Sequence, residues 1–139
     1  MPSRWIEVVG WAALVLLGTA TLLGIGSVVN YWLEQRELDA RARGLTGGDP
    51  HHGEVAFVNY GCGSCHQITG VSAAQGLVGP PLSKIGDRAI LAGRLENQPA
   101  NLIRWIRDPQ GVSPGTAMPN LGVTPADARD IAAFLYTDS

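Results

Sequence analysis

The chain has 139 residues, 45% of them hydrophobic and 16% charged, with ten basic and twelve acidic side chains for a formal net charge of −2 at pH 7. That length allows one domain plus accessories. A chain so close to neutral, without a strong positive patch, is not expected to bind nucleic acid.

The apolar residues are unevenly distributed. From Val8 to Leu33 there are 26 residues without a charged side chain, roughly 39 Å of helix against a hydrocarbon core of about 30 Å. Trp5 and Trp11 lie near one end and Tyr31 and Trp32 near the other, where amphipathic rings favour the membrane interface. A cleaved secretory signal is the competing reading. Its apolar core is about 7–15 residues, and the A-x-A at Ala40-Arg41-Ala42 sits behind four charged residues. Residues 1–33 are therefore expected to be an uncleaved single-pass anchor. Its small residues (Gly10, Gly18, Ala20, Gly24, Gly26) would admit a neighbouring helix.

Residues 34–48 read as a charged helical extension followed by a linker. Gly44 is the expected helix stop and Gly47-Gly48 a flexible connector. Residues 49–139 form the expected globular domain. Asp49 is expected to cap a helix that has Pro50 at its first position and runs to about Asn59. Asn101 is expected to cap Leu102 to Arg107, which Asp108-Pro109 stops. Thr124 is expected to cap a last helix with Pro125 at its first position and a buried stripe of Ile131, Phe134 and Leu135. Between Gly70 and Gly93 no convincing strand is visible. The expected fold class is all-α: one transmembrane helix, then three to five helices and long loops. Such loops are hard to stabilise in about 90 residues unless something large fills the core.

Cys62-Gly63-Ser64-Cys65-His66 supplies that something. It is a C-x-x-C-H run, the attachment signal for a c-type haem: the thiols add across the two vinyl groups and the adjacent imidazole binds the iron. A disulfide, a thioredoxin-like pair and a zinc site compete. A closed zinc site needs four ligands; these are the only two cysteines, and besides His66 the histidines are His51 and His52, at the start of a helix a dozen residues earlier. A thioredoxin-like pair would sit in a βαβ pattern, which is not visible. One haem c held through Cys62 and Cys65 is the expected cofactor.

For the second axial ligand, Met118 is the only thioether outside the initiator Met1, in the Pro-bounded run Pro114-Gly115-Thr116-Ala117-Met118-Pro119. Its alternative role is to fill a core gap. His51 and His52 are rival ligands, their commoner reading being two exposed residues of a first helical turn.

On these motifs residues 49–139 resemble class I cytochrome c, the monohaem family with His/Met ligation. Gly53 and Phe57 resemble the glycine and aromatic of the family's first helix, which crosses the last one beside the haem. Gly79-Pro80 with Leu82 resembles the loop whose proline carbonyl accepts a hydrogen bond from the proximal histidine. Arg88 falls where the family often places an arginine near a haem propionate. Leu102, Trp105 and Ile106 resemble the distal-side helix, and the run to Met118 resembles the methionine loop. The resemblance thus implies a haem site of Cys62, Cys65, His66, Met118, Pro80, Arg88 and Trp105, with His66 and Met118 on the metal. Two features depart from the family: Gly61 looks like a local insertion, and the lysine ring is absent, Lys84 being the domain's one lysine. The wording of residues 101–135 resembles cytochrome c domains accompanying bacterial haem–copper oxidases.

The resemblance implies an electron carrier rather than an enzyme, with no small-molecule substrate. A haem enzyme with a displaceable Met ligand is the minor alternative. The expected setting is the bacterial inner membrane, with a cytoplasmic N-terminus and the haem domain on the periplasmic face, where c-type haem is attached. The expected redox partner is a respiratory complex, either a haem–copper oxidase or a quinol-oxidising complex. Both a tethered carrier and a fixed haem subunit of a membrane dehydrogenase complex remain open.

Overall fold

The computed structural model describes residues 3–137. It contains five α-helices: α1 (Ser3–Thr46), α2 (Pro50–Asn59), α3 (Pro99–Arg107), α4 (Pro109–Val112) and α5 (Pro125–Thr137). Two 3₁₀ turns, Cys62–Ser64 and Ile85–Asp87, and a two-stranded ribbon complete the order. The chain divides into two compact units, Met1–Arg36 and Glu37–Ser139.

The first unit is helix throughout its described residues, and its large apolar side chains are exposed. Its hydroxyls bond within the helix: Thr19 Oγ1 donates to the Leu16 carbonyl (2.9 Å) and Ser27 Oγ to that of Leu23 (2.9 Å). These two hydroxyls, and that of Thr21, whose Oγ1 donates to the Gly18 carbonyl at 2.8 Å, need no water, as an apolar surrounding requires. By length and composition α1 can cross a membrane.

In the second unit the end of α1 differs from the expectation. Gly44 lies inside the helix, which runs on to Thr46 and closes at Gly47 with φ +68°. Ala42 and Thr46 are buried, and that burial carries the helix two residues past Gly44. Nor is Gly48 a loose connector. A Cβ there would collide with the Arg129 and Asp130 backbone, and the Asp49 N–H donates to Asp130 Oδ1 at 2.7 Å. These contacts hold the connector against α5.

Helix α2 begins as expected, Asp49 Oδ1 accepting from the N–H groups of His51 (2.9 Å) and His52 (3.2 Å). Its Gly53 lets α2 cross α5 in backbone contact, where a Cβ would meet the Asp130 carbonyl. Beside the crossing the Phe57 and Phe134 rings pack with centroids 5.8 Å apart. α5 also packs on α3, and Phe57, Leu102, Ile106, Ile131 and Leu135 form the buried core between these three helices.

α3 starts earlier than Asn101. Pro99 takes the first helical position, where its fixed φ suits the helix and its missing N–H costs nothing. Asn101 instead donates to the Glu96 carbonyl at 3.0 Å. Asp108-Pro109 ends α3 and at once opens α4, Asp108 Oδ1 accepting from Gly111 N–H at 2.9 Å. The ribbon pairs Ile90 with Glu96 and Leu91 with Leu95 through a loop with Ala92 and Gly93 at positive φ. Two-residue strands are too short to show a period in sequence.

Helix α5 opens on a threonine cap. Thr124 Oγ1 accepts from Asp127 N–H (3.1 Å) and donates to Asp127 Oδ2 (2.8 Å), which also accepts from the Tyr60 hydroxyl at 2.7 Å. The Tyr60 bond, and then that from Thr124, holds the Asp127 carboxyl below its ordinary 3.8. The same bond raises the Tyr60 phenol above 10.0. Asp127, depressed in the fold, contributes stability above its unfolded value that is lost as pH falls through the folded one; Tyr60, raised, contributes below its unfolded value and loses it as pH rises through the folded one. Tyr60→Phe is therefore expected to lower the urea midpoint most between about pH 5 and 9, the gap to wild type closing toward both extremes. A constant gap across pH would contradict this.

Candidate functional site

The C-x-x-C-H segment folds as one tight turn. Gly61, at φ +72°, admits the reversal after α2. Cys65 N–H (3.2 Å) and His66 N–H (3.0 Å) both bond the Cys62 carbonyl, and Ser64 Oγ donates to that of Gly61 at 2.7 Å. This places Cys62, Cys65 and His66 on the wall of one cavity of about 430 Å³. No disulfide joins the two cysteines. Burial pushes the Cys62 thiol up to about 11 before any haem is attached.

His66 is oriented from behind. Its Nδ1 lies 2.8 Å from the Pro80 carbonyl oxygen. A carbonyl only accepts, so Nδ1 carries the proton and, in the neutral ring, the Nε2 lone pair is the one available to a ligand. Gly79 is required beside it, since a Cβ there would collide with the imidazole ring. Bonds from Gly79 N–H to the Cys65 carbonyl (2.8 Å) and from Leu82 N–H to that of Gln67 (2.7 Å) fix the strap.

Met118 lines the same cavity from the loop after α4, and Trp105 lines it from α3. Arg88 lines it too, its Nη2 donating to the Pro81 carbonyl. All seven residues singled out in the sequence, Cys62, Cys65, His66, Pro80, Arg88, Trp105 and Met118, therefore meet at one site. His51 and His52 are not part of it; His51 Nε2 pairs with Asp39 Oδ2 at 3.0 Å. Among the described residues no group of three His, Cys, Asp or Glu side chains could hold a metal ion.

Two residues the sequence did not single out hold the walls. Gln110 Nε2 donates to the Thr116 (2.8 Å) and Met118 (2.7 Å) carbonyls, and its Oε1 accepts from Gly115 N–H at 3.1 Å. One side chain thus ties down the loop that presents Met118. Asn97 Nδ2 donates to the Ile85 and Arg88 carbonyls (2.7 Å each) and its Oδ1 accepts from the Tyr136 hydroxyl at 2.9 Å, fastening the Arg88 segment to α5. The available signal was the loop backbone itself, polar groups that no helix or strand satisfies and some side chain must. Gln110→Leu removes three bonds from partly buried or exposed loop groups, each worth about 0.5–1.5 kcal/mol. The Met118 loop is then expected to open at lower urea than the rest of the domain, seen as early loss of hydrogen-exchange protection at the Gly115 N–H. Loss in step with global unfolding, as in wild type, would contradict this role.

The cavity fits a haem. Its walls are apolar, with Leu82, Ile85, Leu102, Ile106, Ile131 and Leu135 among the lining residues. Its chemistry is two thiols at attachment spacing, an imidazole nitrogen, a thioether and one guanidinium that suits an anionic edge.

The cytochrome c family model matches residues 51–138. Cytochrome c oxidase subunit 2 of Alkalihalophilus pseudofirmus is 36% identical over 94 residues, covering 63% of this chain and 27% of that protein. Its counterpart in Bacillus subtilis is 29% identical over 86 residues, covering 60% and 24%. Cytochrome c2 of Rhodomicrobium vannielii is 36% identical over 109 residues, covering 69% and 84%. The chain thus spans about a quarter of the two oxidase subunits and most of the cytochrome c2. No solved structure matches it. The matched family binds haem c covalently and transfers electrons, and Cys62 and Cys65 stand here at its attachment spacing. With the family match and the cavity chemistry in agreement, this chain belongs to the cytochrome c family as a class I c-type cytochrome.

Proposed function

We propose that the chain is a membrane-anchored monohaem cytochrome that passes single electrons to or within a terminal oxidase or quinol-oxidising complex. Cys62 and Cys65 would hold the haem through thioether bonds, and His66 and Met118 would bind its iron. The observation that carries this reading is the convergence of these four side chains on one cavity, with the His66 ring fixed by the Pro80 carbonyl.

Haem held in this way supplies a one-electron iron couple, whose potential a methionine ligand raises. The Pro80 carbonyl fixes the tautomer of His66 and raises its basicity. Gln110 keeps Met118 on the site, and the apolar wall excludes water. With His66 and Met118 both binding the iron, no coordination site would be left for a substrate, which favours electron transfer over bond chemistry.

The anchor reading rests on α1, and attachment of c-type haem outside the bacterial cytoplasm supports a cytoplasmic N-terminus with the haem domain on the periplasmic face. The identity with two oxidase subunits supports a haem–copper oxidase as partner. Gly48 packs closely on α5, so the chain between α1 and α2 is held at this point. Met118→Ala tests the ligation. Covalent haem is expected to remain while the sulfur-to-ferric-iron band disappears and the ferrous form gains affinity for carbon monoxide. Survival of the band would sink the assignment. Co-migration of the haem-stained chain with an oxidase on a native gel of solubilised membranes tests the partner.

A further inference from the structure

We propose that Asn120, bonded to Asp108, is a positioning residue that keeps Met118 on the haem site and so holds the sixth iron position closed. The proposal rests on the His66/Met118 ligation reading above.

The chain between α4 and α5 presents Met118 without a helix or strand to fix it. Gln110 ties the approach to Met118 through the backbone of Gly115, Thr116 and Met118 itself. The departure needs a tie of its own, because a loop fixed on one side still swings from the other. Asn120 supplies it. Its Nδ2 donates to Asp108 Oδ1 at 2.9 Å, and its Oδ1 accepts from Gln110 N–H at 3.2 Å. Asp108 Oδ1 accepts at the same time from Gly111 N–H at 2.9 Å. The far side of the loop is thereby returned to the start of α4 across 12 positions of chain. Among the described residues Asn120 makes the only hydrogen bonds in the stretch 119–123. Pro119 stands between Met118 and Asn120, and its ring-locked φ leaves few ways for one to move without the other.

The clamp is charged at neutral pH. The Gly111 N–H, then the Asn120 amide, hold the Asp108 carboxyl below its ordinary 3.8, and the Arg104 and Arg107 guanidiniums of α3 act in the same direction. A bond to a carboxylate is shorter and stronger than one to a neutral oxygen. Asp108 and Asn120 are both exposed, however, so water competes for every bond and the clamp shifts the closed-to-open ratio of the loop by about tenfold rather than by thousands. A clamp of that size decides little about whether the domain folds and much about how often the iron is uncovered. The rival role for Asn120 is to satisfy the first turn of α4 and nothing more. That role would move the stability of the whole unit and leave the iron site alone.

The test uses the full haem-loaded chain in lipid nanodiscs, with imidazole as the probe of an uncovered ferric iron. Imidazole Kd, the sulfur-to-iron absorption and the global urea midpoint are measured for wild type, Asn120→Ala, Asp108→Ala, Asp108→Asn and Thr124→Ala. A ligand that reads only the open state binds in proportion to that state's population. Asn120→Ala and Asp108→Ala are therefore each expected to bind imidazole about tenfold more tightly than wild type. Asp108→Asn keeps an acceptor for both Asn120 and Gly111, and its Kd is expected to stay closest to wild type. Thr124→Ala removes the cap of α5, on the other side of the loop. It is expected to lower the urea midpoint while leaving the imidazole Kd unmoved. Asn120→Ala and Asp108→Ala with the wild-type Kd would overturn the clamp and leave the ligation reading intact. So would a Thr124→Ala that tightens imidazole binding as much as they do, since the effect would then be one of global stability. If the wild-type ferric haem lacks the sulfur-to-iron band and takes up imidazole freely, the ligation reading fails, and this proposal fails with it.

Discussion

His66→Ala is expected to yield no stable haem-loaded protein. The substitution removes the imidazole nitrogen offered to the iron, strips the Pro80 carbonyl of its donor at 2.8 Å and opens the space that Gly79 leaves for the ring. The thiols of Cys62 and Cys65 remain, but the ring that fixes the site from behind is gone. Loss of haem also loses fold. Without a haem, the apolar walls at Leu82, Ile85, Leu102, Ile106, Ile131 and Leu135 face an unfilled cavity, which destabilises the domain. The chain should therefore vanish from a haem-stained gel and its polypeptide should be cleared from membranes. Normal haem loading with a wild-type spectrum would refute the role given to His66.

Gly53→Val is expected to be the most damaging change away from the cavity. The added Cβ would fall on the Asp130 carbonyl and 2.8 Å from the Phe134 Cβ. Backbone cannot step aside as a flexible side chain can, so α2 and α5 must part. The Phe57–Phe134 pair and the wall residues Ile131 and Leu135 move with them. Overpacking of this kind costs about 1–3 kcal/mol and more against backbone, well above the gain of under about 1 kcal/mol in helix propensity. For a unit of this size we expect Tm to fall by roughly 10 °C or more, measured on the haem-loaded chain by circular dichroism. An unchanged Tm would mean the crossing is looser than described.

The features legible in the sequence were those set by neighbours in the chain. Asp49-Pro50 and Thr124-Pro125 start α2 and α5 because a cap and a first-turn proline act within three residues. The C-x-x-C-H turn is legible for the same reason, and Met118 follows from the scarcity of methionine. What escaped depends on distant partners. Gly44 reads as a stop, yet burial of Ala42 and Thr46 carries α1 past it. Asn101 reads as a cap, yet Pro99 preempts it. Tyr60 finds Asp127 across 67 positions, and Asn97 finds Tyr136 across 39. Gln110 is nearer its partners, but its role depends on a loop whose shape no periodicity announces.

The most direct test of the central claim is a potentiometric titration of the full membrane-bound chain, followed at the haem absorbance and completed by adding carbon monoxide to the reduced form. A His66/Met118 electron carrier predicts one haem per chain, a single one-electron step, low-spin spectra in both oxidation states and no carbon monoxide binding at native pH. A high-spin spectrum, or ready binding of carbon monoxide by the ferrous wild type, would show an open coordination position and contradict the assignment of a saturated electron carrier.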